Sequence, residues 1–256
     1  MAGVLRKLRR WQLARRSIPE KWISILEDNV PFYSRISGAM RQRFLEMLKI
    51  FVWEKYFIGA GGMVISDEVR VVIGACAVRL VLHLDLSYYD RLTEIVVYPY
   101  VYRHSDEEVA VLGEARNWGT VVLSWPAVVQ GLGSPESGHE TAIHEFAHVL
   151  DRADGVFDGT PKLRARADYR PWAEIMSRHY LALRKGDPLE GSVLRRYGGV
   201  NEAEFFAVAT EAYFERPKLM KELIPDLYAE LQEFYGEDPV SLEPNHYASA
   251  SASKKP

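Results

Sequence analysis

The sequence predicts an α+β fold that is mostly helical with a small sheet. Three observations carry that reading. Apolar residues recur at helical spacing through most of the chain, only two short runs are strand-like, and strands do not alternate with helices as a doubly wound sheet requires. At 256 residues the chain fits one large domain with appendages. A hydrophobic share of 48% beside 26% charged residues provides a core and a solvated surface.

Taken in order, residues 1–19 form a basic segment in which Arg6, Lys7, Arg9, Arg10, Arg15 and Arg16 interleave with Leu5, Leu8, Trp11 and Leu13. It reads either as an amphipathic surface helix for acidic lipid or an acidic partner, or as a solvated, fraying helix. It is not a secretory signal, because no apolar run or small-residue cleavage site follows. The main domain is expected over 20–247. From Met40 to Phe57, the residues Phe44, Leu45, Leu48, Phe51, Val52 and Tyr56 fall at helical spacing, and Gly59, Gly61 and Gly62 end that helix. Asp67 caps a second helix reaching about Leu82. The β-branched runs Glu94–Tyr98, stopped by Pro99, and Thr120–Leu123 are the two strands.

Glu140–Leu150 reads as an amphipathic helix with Ile143, Ala147 and Leu150 on its apolar stripe, and Ser134-Pro135-Glu136 as its start. A Gly/Asp-rich loop, Asp154–Pro161, comes next. Pro171 opens a helix to about Leu183, and Asp187–Val200 is mostly loop. Asn201 caps a helix to Phe214, and Pro217 and Pro225 begin two final helices. The Ser/Ala/Lys tail, 248–256, reads as disordered.

Composition excludes several classes. No stretch approaches the roughly 18 uninterrupted apolar residues of a membrane span, and the most apolar one, Val69–Leu86, is broken by Arg79, His83 and Asp85. The single Cys76 rules out an internal disulfide and suits a reducing, cytoplasmic setting. A net charge of −3 gives no general attraction to nucleic acid.

The chemistry concentrates at His144-Glu145-Phe146-Ala147-His148. On a helix, positions four apart share a face, so both imidazoles reach one ion while Glu145 flanks it as a general base for a metal-activated water. This is the zincin signature, which chance would produce in about one per hundred chains of this length. A catalytic zinc takes three protein ligands and leaves a fourth position open. Asp151 shares the helix face, but it lies about 10 Å along the axis from His144, too far for a short side chain to share the ion. Its two readings are an acceptor for a ligand imidazole and a solvated aspartate of the last turn. His139 is rotated off the face. The helix after Asn201 offers Glu204, with Ala207 one turn on to permit close approach, while Glu202 faces solvent. Glu211, two turns along, either orients a histidine or is plain structure. Asp154 and Asp158 are calcium ligands or, more simply, turn formers.

These residues resemble the Mlc titration factor A family of bacterial zinc peptidases. The motif and its continuation Val149-Leu150-Asp151, with Asp154-Gly155 and Asp158-Gly159 before Pro161, match that family. So do Gly119-Thr120-Val121-Val122-Leu123-Ser124-Trp125 and Val97-Tyr98-Pro99, and the likeness spans about Ile25 to Tyr247. The Tyr197-Gly198 and Asn201–Ala207 stretches are also similar to the catalytic domain of lethal-factor-type toxin proteases. The resemblance implies a gluzincin site with one Zn2+, held by His144, His148 and Glu204, and Glu145 as catalytic acid/base. It puts Tyr197 where those enzymes keep a tyrosine near the metal; read without it, Tyr197 is equally a loop residue packed beside Arg195 and Arg196. The implied activity is peptide hydrolysis, either aminopeptidase-like or endopeptidase. The alternative is a regulatory protein that sequesters a transcriptional repressor, as the family's namesake does.

Overall fold

Apolar spacing becomes helix through most of the chain. The computed structural model describes residues 2–100, 119–133 and 140–242. Its helices are α1 (Ala2–Ala14), α2 (Glu20–Asn29), α3 (Gly38–Glu54), α4 (Asp67–Val81), α5 (Trp125–Gly133) and α6 (Thr141–Asp151). They continue as α7 (Tyr169–Arg184), α8 (Pro188–Val193), α9 (Glu202–Glu215), α10 (Pro217–Leu223) and α11 (Pro225–Tyr235). The strands β1 (Tyr56–Gly59), β2 (Glu94–Tyr98) and β3 (Thr120–Ser124) form one parallel sheet in that order, with Tyr56 opposite Glu94 and Glu94 opposite Thr120. The class is the predicted helical α+β.

Two helices, α4 and α9, are apolar nearly all round and therefore lie inside. Every residue of α4 from Val71 to Val81 is buried, Cys76 included. Gly74 lets α3 cross close by, since a Cβ there would stand 2.9 Å from Leu48 Cδ1 and Val52 Cγ2. That contact offsets the roughly 1 kcal/mol that glycine costs in a helix interior. Ser66, not Asp67, caps this helix, accepting from the Val69 N–H at 3.3 Å. Helix α9 is buried from Ala203 to Phe214 and packs on α6, which also rests on α4 and β3. Phe146 fixes α6 to the interior through edge contacts with Phe51 and Tyr89.

Three expectations need correction. The helix expected through Phe57 ends at Glu54, and Tyr56–Gly59 is a strand. Buried Lys55 turns inward there, its Nζ donating to the Tyr89 and Leu92 carbonyls at 2.7 and 2.8 Å, and the Tyr56 N–H pairs with Thr93 O. Four residues are too few for a period to decide between helix and strand. The stretch expected to be mostly loop after Asp187 holds α8, capped by Asp187 on the Leu189 N–H, and a 3-10 turn at Arg196–Gly199. Helix α5 follows β3 directly, where none was predicted. The Ser134-Pro135-Glu136 start, His139 and the 248–256 tail lie outside the described residues. Glu140 stands at the N-cap of α6.

The basic segment folds as α1 against α3. Arg10 bonds Glu54 at 2.9 Å and Asp90 at 2.7 Å, Arg6 pairs with Asp90, and Leu13 is buried. Among the described residues no helix is long and apolar enough to cross a membrane.

Candidate metal centre

Helix α6 sets His144 and His148 one turn apart with their rings at right angles, 4.7 Å between centroids. Their Nε2 atoms are 3.2 Å apart. The third donor comes from the first turn of α9. Asn201 caps that helix by accepting from the Glu204 N–H at 2.9 Å. This brings Glu204 Oε2 to 3.0 Å from His144 Nε2 and 3.3 Å from His148 Nε2. Among the described residues these three side chains are the one group able to hold a metal ion.

The donor set fits a metal. Ligands about 2.0–2.1 Å from a tetrahedral zinc stand roughly 3.3–3.4 Å apart, close to the three separations here. Two imidazole nitrogens and a carboxylate oxygen are all electron-pair donors, so converging them in a buried place calls for a cation between them. Without an ion, the same place draws a proton. Burial disfavours charge on His144, but hydrogen bonds to Glu204 and Glu211 outweigh it and raise its pKa to about 10. Burial likewise disfavours charge on Glu204, yet the two histidines pull its pKa far below the usual range.

Glu211 lies against His144, where the first of its two readings requires it. Its Oε1 lies 2.6 Å from His144 Nδ1 and also accepts from Arg195, while Oε2 accepts the Glu140 N–H at 3.0 Å. Burial alone would raise its pKa, but His144 and Arg195 hold it low. A carboxylate that accepts a hydrogen bond from Nδ1–H fixes the tautomer whose Nε2 can face an ion. Arg195, which clamps that carboxylate, carries no pattern in the sequence that would have revealed it.

Asp151 does neither thing expected of it. It is fully buried rather than solvated, and its Oδ2 accepts the Gly159 N–H at 3.0 Å instead of a histidine proton. Burial raises its pKa to about 6 against that bond. Asp154 and Asp158 form turns, accepting from the Val156 and Thr160 N–H groups.

Glu145 is half-buried, and its charge acts on both His144 and Arg152. The Tyr197 ring is half-buried 6.0 Å from that of His144, with the Arg195 guanidinium 6.0 Å from its centroid. Phe157, exposed, sets its edge against His148 at 5.3 Å, and Arg152 stacks on it at 3.9 Å. These two were not singled out in the sequence. They make an apolar and cationic rim beside the donors.

A family model described as glucose-regulated metallo-peptidase M90 matches residues 5–236, a stretch that takes in most of α1. A protein of Synechocystis is 36% identical over 244 residues, covering 90% of this chain and 88% of that protein. Proteins named Mlc titration factor A are similar too. That of Pectobacterium atrosepticum is 27% identical, covering 87% of this chain and 88% of its own length. That of Edwardsiella ictaluri is 26% identical, covering 82% and 85%.

Proposed function

Since the chain belongs to the M90 family of glucose-regulated metallo-peptidases, we propose that it is a zinc-dependent peptidase of the gluzincin arrangement, working in the cytoplasm. The reading rests on the triangle of His144, His148 and Glu204 donor atoms, 3.0–3.3 Å on a side, with Glu145 next to the first of them on the same helix. Zinc bound there would lower the pKa of a coordinated water toward about 7 and polarise a scissile carbonyl. Glu145 takes the proton from the attacking water and hands it to the leaving amine. Tyr197, whose ring lies beside His144, donates a hydrogen bond to the developing oxyanion. An extended peptide pairs with the outer edge of β3, which is bonded to β2 on one side and to no other strand among the described residues. Three convergent donors favour catalysis over a structural ion, which four ligands would close. The preference is aminopeptidase-like, which matched free and N-acetylated peptides would resolve.

Purified protein should contain about one zinc per chain, and His148→Ala or Glu204→Ala should lose most of it. Glu145→Gln should keep the zinc and lose nearly all hydrolysis. Wild-type rates from that variant would place hydrolysis elsewhere; full zinc in Glu204→Ala would remove Glu204 from the ligand set.

The name carried by several relatives favours a second reading, capture of a transcriptional repressor with peptidase activity secondary. Under it, Glu145→Gln retains repressor binding at wild-type affinity. Under the first reading alone, neither protein retains the repressor.

A further inference from the structure

Helix α1 is docked by one face and leaves another open. Toward the fold it turns Arg6, Arg10 and buried Leu13, and Lys49 Nζ holds its C-terminal end by donating to the Ala14 and Arg16 carbonyls at 2.7 Å. At about 100° per residue, the opposite arc carries Val4, Leu5, Leu8 and Trp11. These are 72, 66, 52 and 52% exposed. Lys7 flanks this ridge on one side and Arg9 on the other, each about 100° from Leu8. Arg15 stacks on Trp11, 3.8 Å from its centroid. Lys7, Arg9 and Arg15 are exposed and form no ion pair among the described residues. In a chain of net charge −3, positive charge is thus gathered on one face.

A helix lying on a domain ordinarily turns its apolar stripe inward; here the stripe points to solvent while ion pairs face the domain. We propose that the outer face of α1 seats the protein on an anionic membrane surface. The ridge enters the boundary between headgroups and acyl chains, and the flanking cations meet anionic headgroups. The shape selects this occupant. A convex apolar ridge with cations level on both sides matches a plane of negative charge, and an aromatic ring stacked with arginine suits the interface. Catalytic groups take no part, so the inference stands apart from the proposed peptidase activity.

The test is co-sedimentation of the full chain with phosphatidylcholine vesicles, with and without an equal share of phosphatidylglycerol. Wild type should bind the anionic vesicles at least tenfold more tightly, and 0.5 M salt should weaken that binding. Lys7→Glu with Arg9→Glu, and separately Leu8→Ser with Trp11→Ser, should each reduce it at least tenfold. All four side chains are exposed, so the thermal midpoint should stay at the wild-type value. Absence of binding, equal binding to both vesicle types, or unchanged binding by both variants overturns the proposal. So does a wild-type dimer that ignores vesicles and is dispersed by Leu8→Ser with Trp11→Ser, since the face would then belong to a second copy.

Discussion

As the proposed ligand, His144 must offer a lone pair at Nε2, and Glu211 orients it for that by accepting a hydrogen bond from Nδ1–H at 2.6 Å. Glu211→Ala should therefore lower zinc affinity about 10- to 100-fold with all three donors still present. A chelator-competition titration reads this, and unchanged affinity would make Glu211 mere packing. The same carboxylates set a pH dependence. Without metal, burial opposes charge on His144, but Glu204 and Glu211 raise its pKa to about 10. Proton and metal compete for Nε2, so below that pH each zinc must displace about one proton, and affinity falls roughly tenfold per unit as pH drops. Calorimetry in two buffers of different ionisation heat at pH 7.5 should show that release; none would contradict the assignment of Nε2. Tyr197→Phe should lower kcat about 10- to 1000-fold with KM and zinc content little changed. An unaltered kcat with a small change in thermal midpoint would leave it a packing residue. His144, Glu145 and His148 were legible because one helix turn fixes their relation. Glu211 was legible only as two possibilities, and the role of Arg195 not at all, because its partner is 16 residues on and no local spacing joins the two.

Between elements, the join that matters runs from the end of α6 to the start of α9. Asp151 holds the Gly159 N–H, and Gly159 sits at φ +78° against the first turn of α9. A Cβ there would meet Glu202 O at 2.3 Å, and Trp172 Nε1 closes the loop on the Gly159 carbonyl at 3.4 Å. Gly159→Ala should destabilise by more than about 1 kcal/mol, because strain in φ and the backbone clash act together. It should weaken zinc binding too, since Glu204 rides on the displaced turn. Denaturant unfolding and metal titration of the one variant check both; intact affinity would separate this loop from the site. The sequence showed Asp158-Gly159 as a turn but not what the turn touches. Long elements were readable where many apolar residues share a period, as in α4 and α9. Strand β1 was not, because Tyr56 and Phe57 continue the spacing of α3 and the pairing with β2 comes from a distant segment. Helices α5 and α8 are short and rest on local caps and neighbours.

At the scale of the molecule, a metal held by this triangle would be a cross-link. Its donors would come from α6 and α9, 60 residues apart, and no two α-helices among the described residues pack on each other more extensively. The helical character and single core were foreseeable from composition and spacing, and Glu204 was named as the donor from the second helix, but how closely the two helices meet is set by tertiary packing. A ligand bound only by the folded state stabilises it by about 2.7 kcal/mol when free at a hundred times its Kd. In a domain of this size that corresponds to roughly 5–10 °C in thermal midpoint. Adding a strong chelator should therefore lower the midpoint of wild type by about that much. Glu145→Gln should fall equally, since its ligands are intact. Glu204→Ala, having little metal to lose, should scarcely respond. Thermal scans of the three proteins with and without chelator distinguish a metal held between α6 and α9 from one bound elsewhere. If Glu204→Ala loses as many degrees as wild type, the stabilising ion does not sit on this triangle, and the link between the two helices must be made by packing alone.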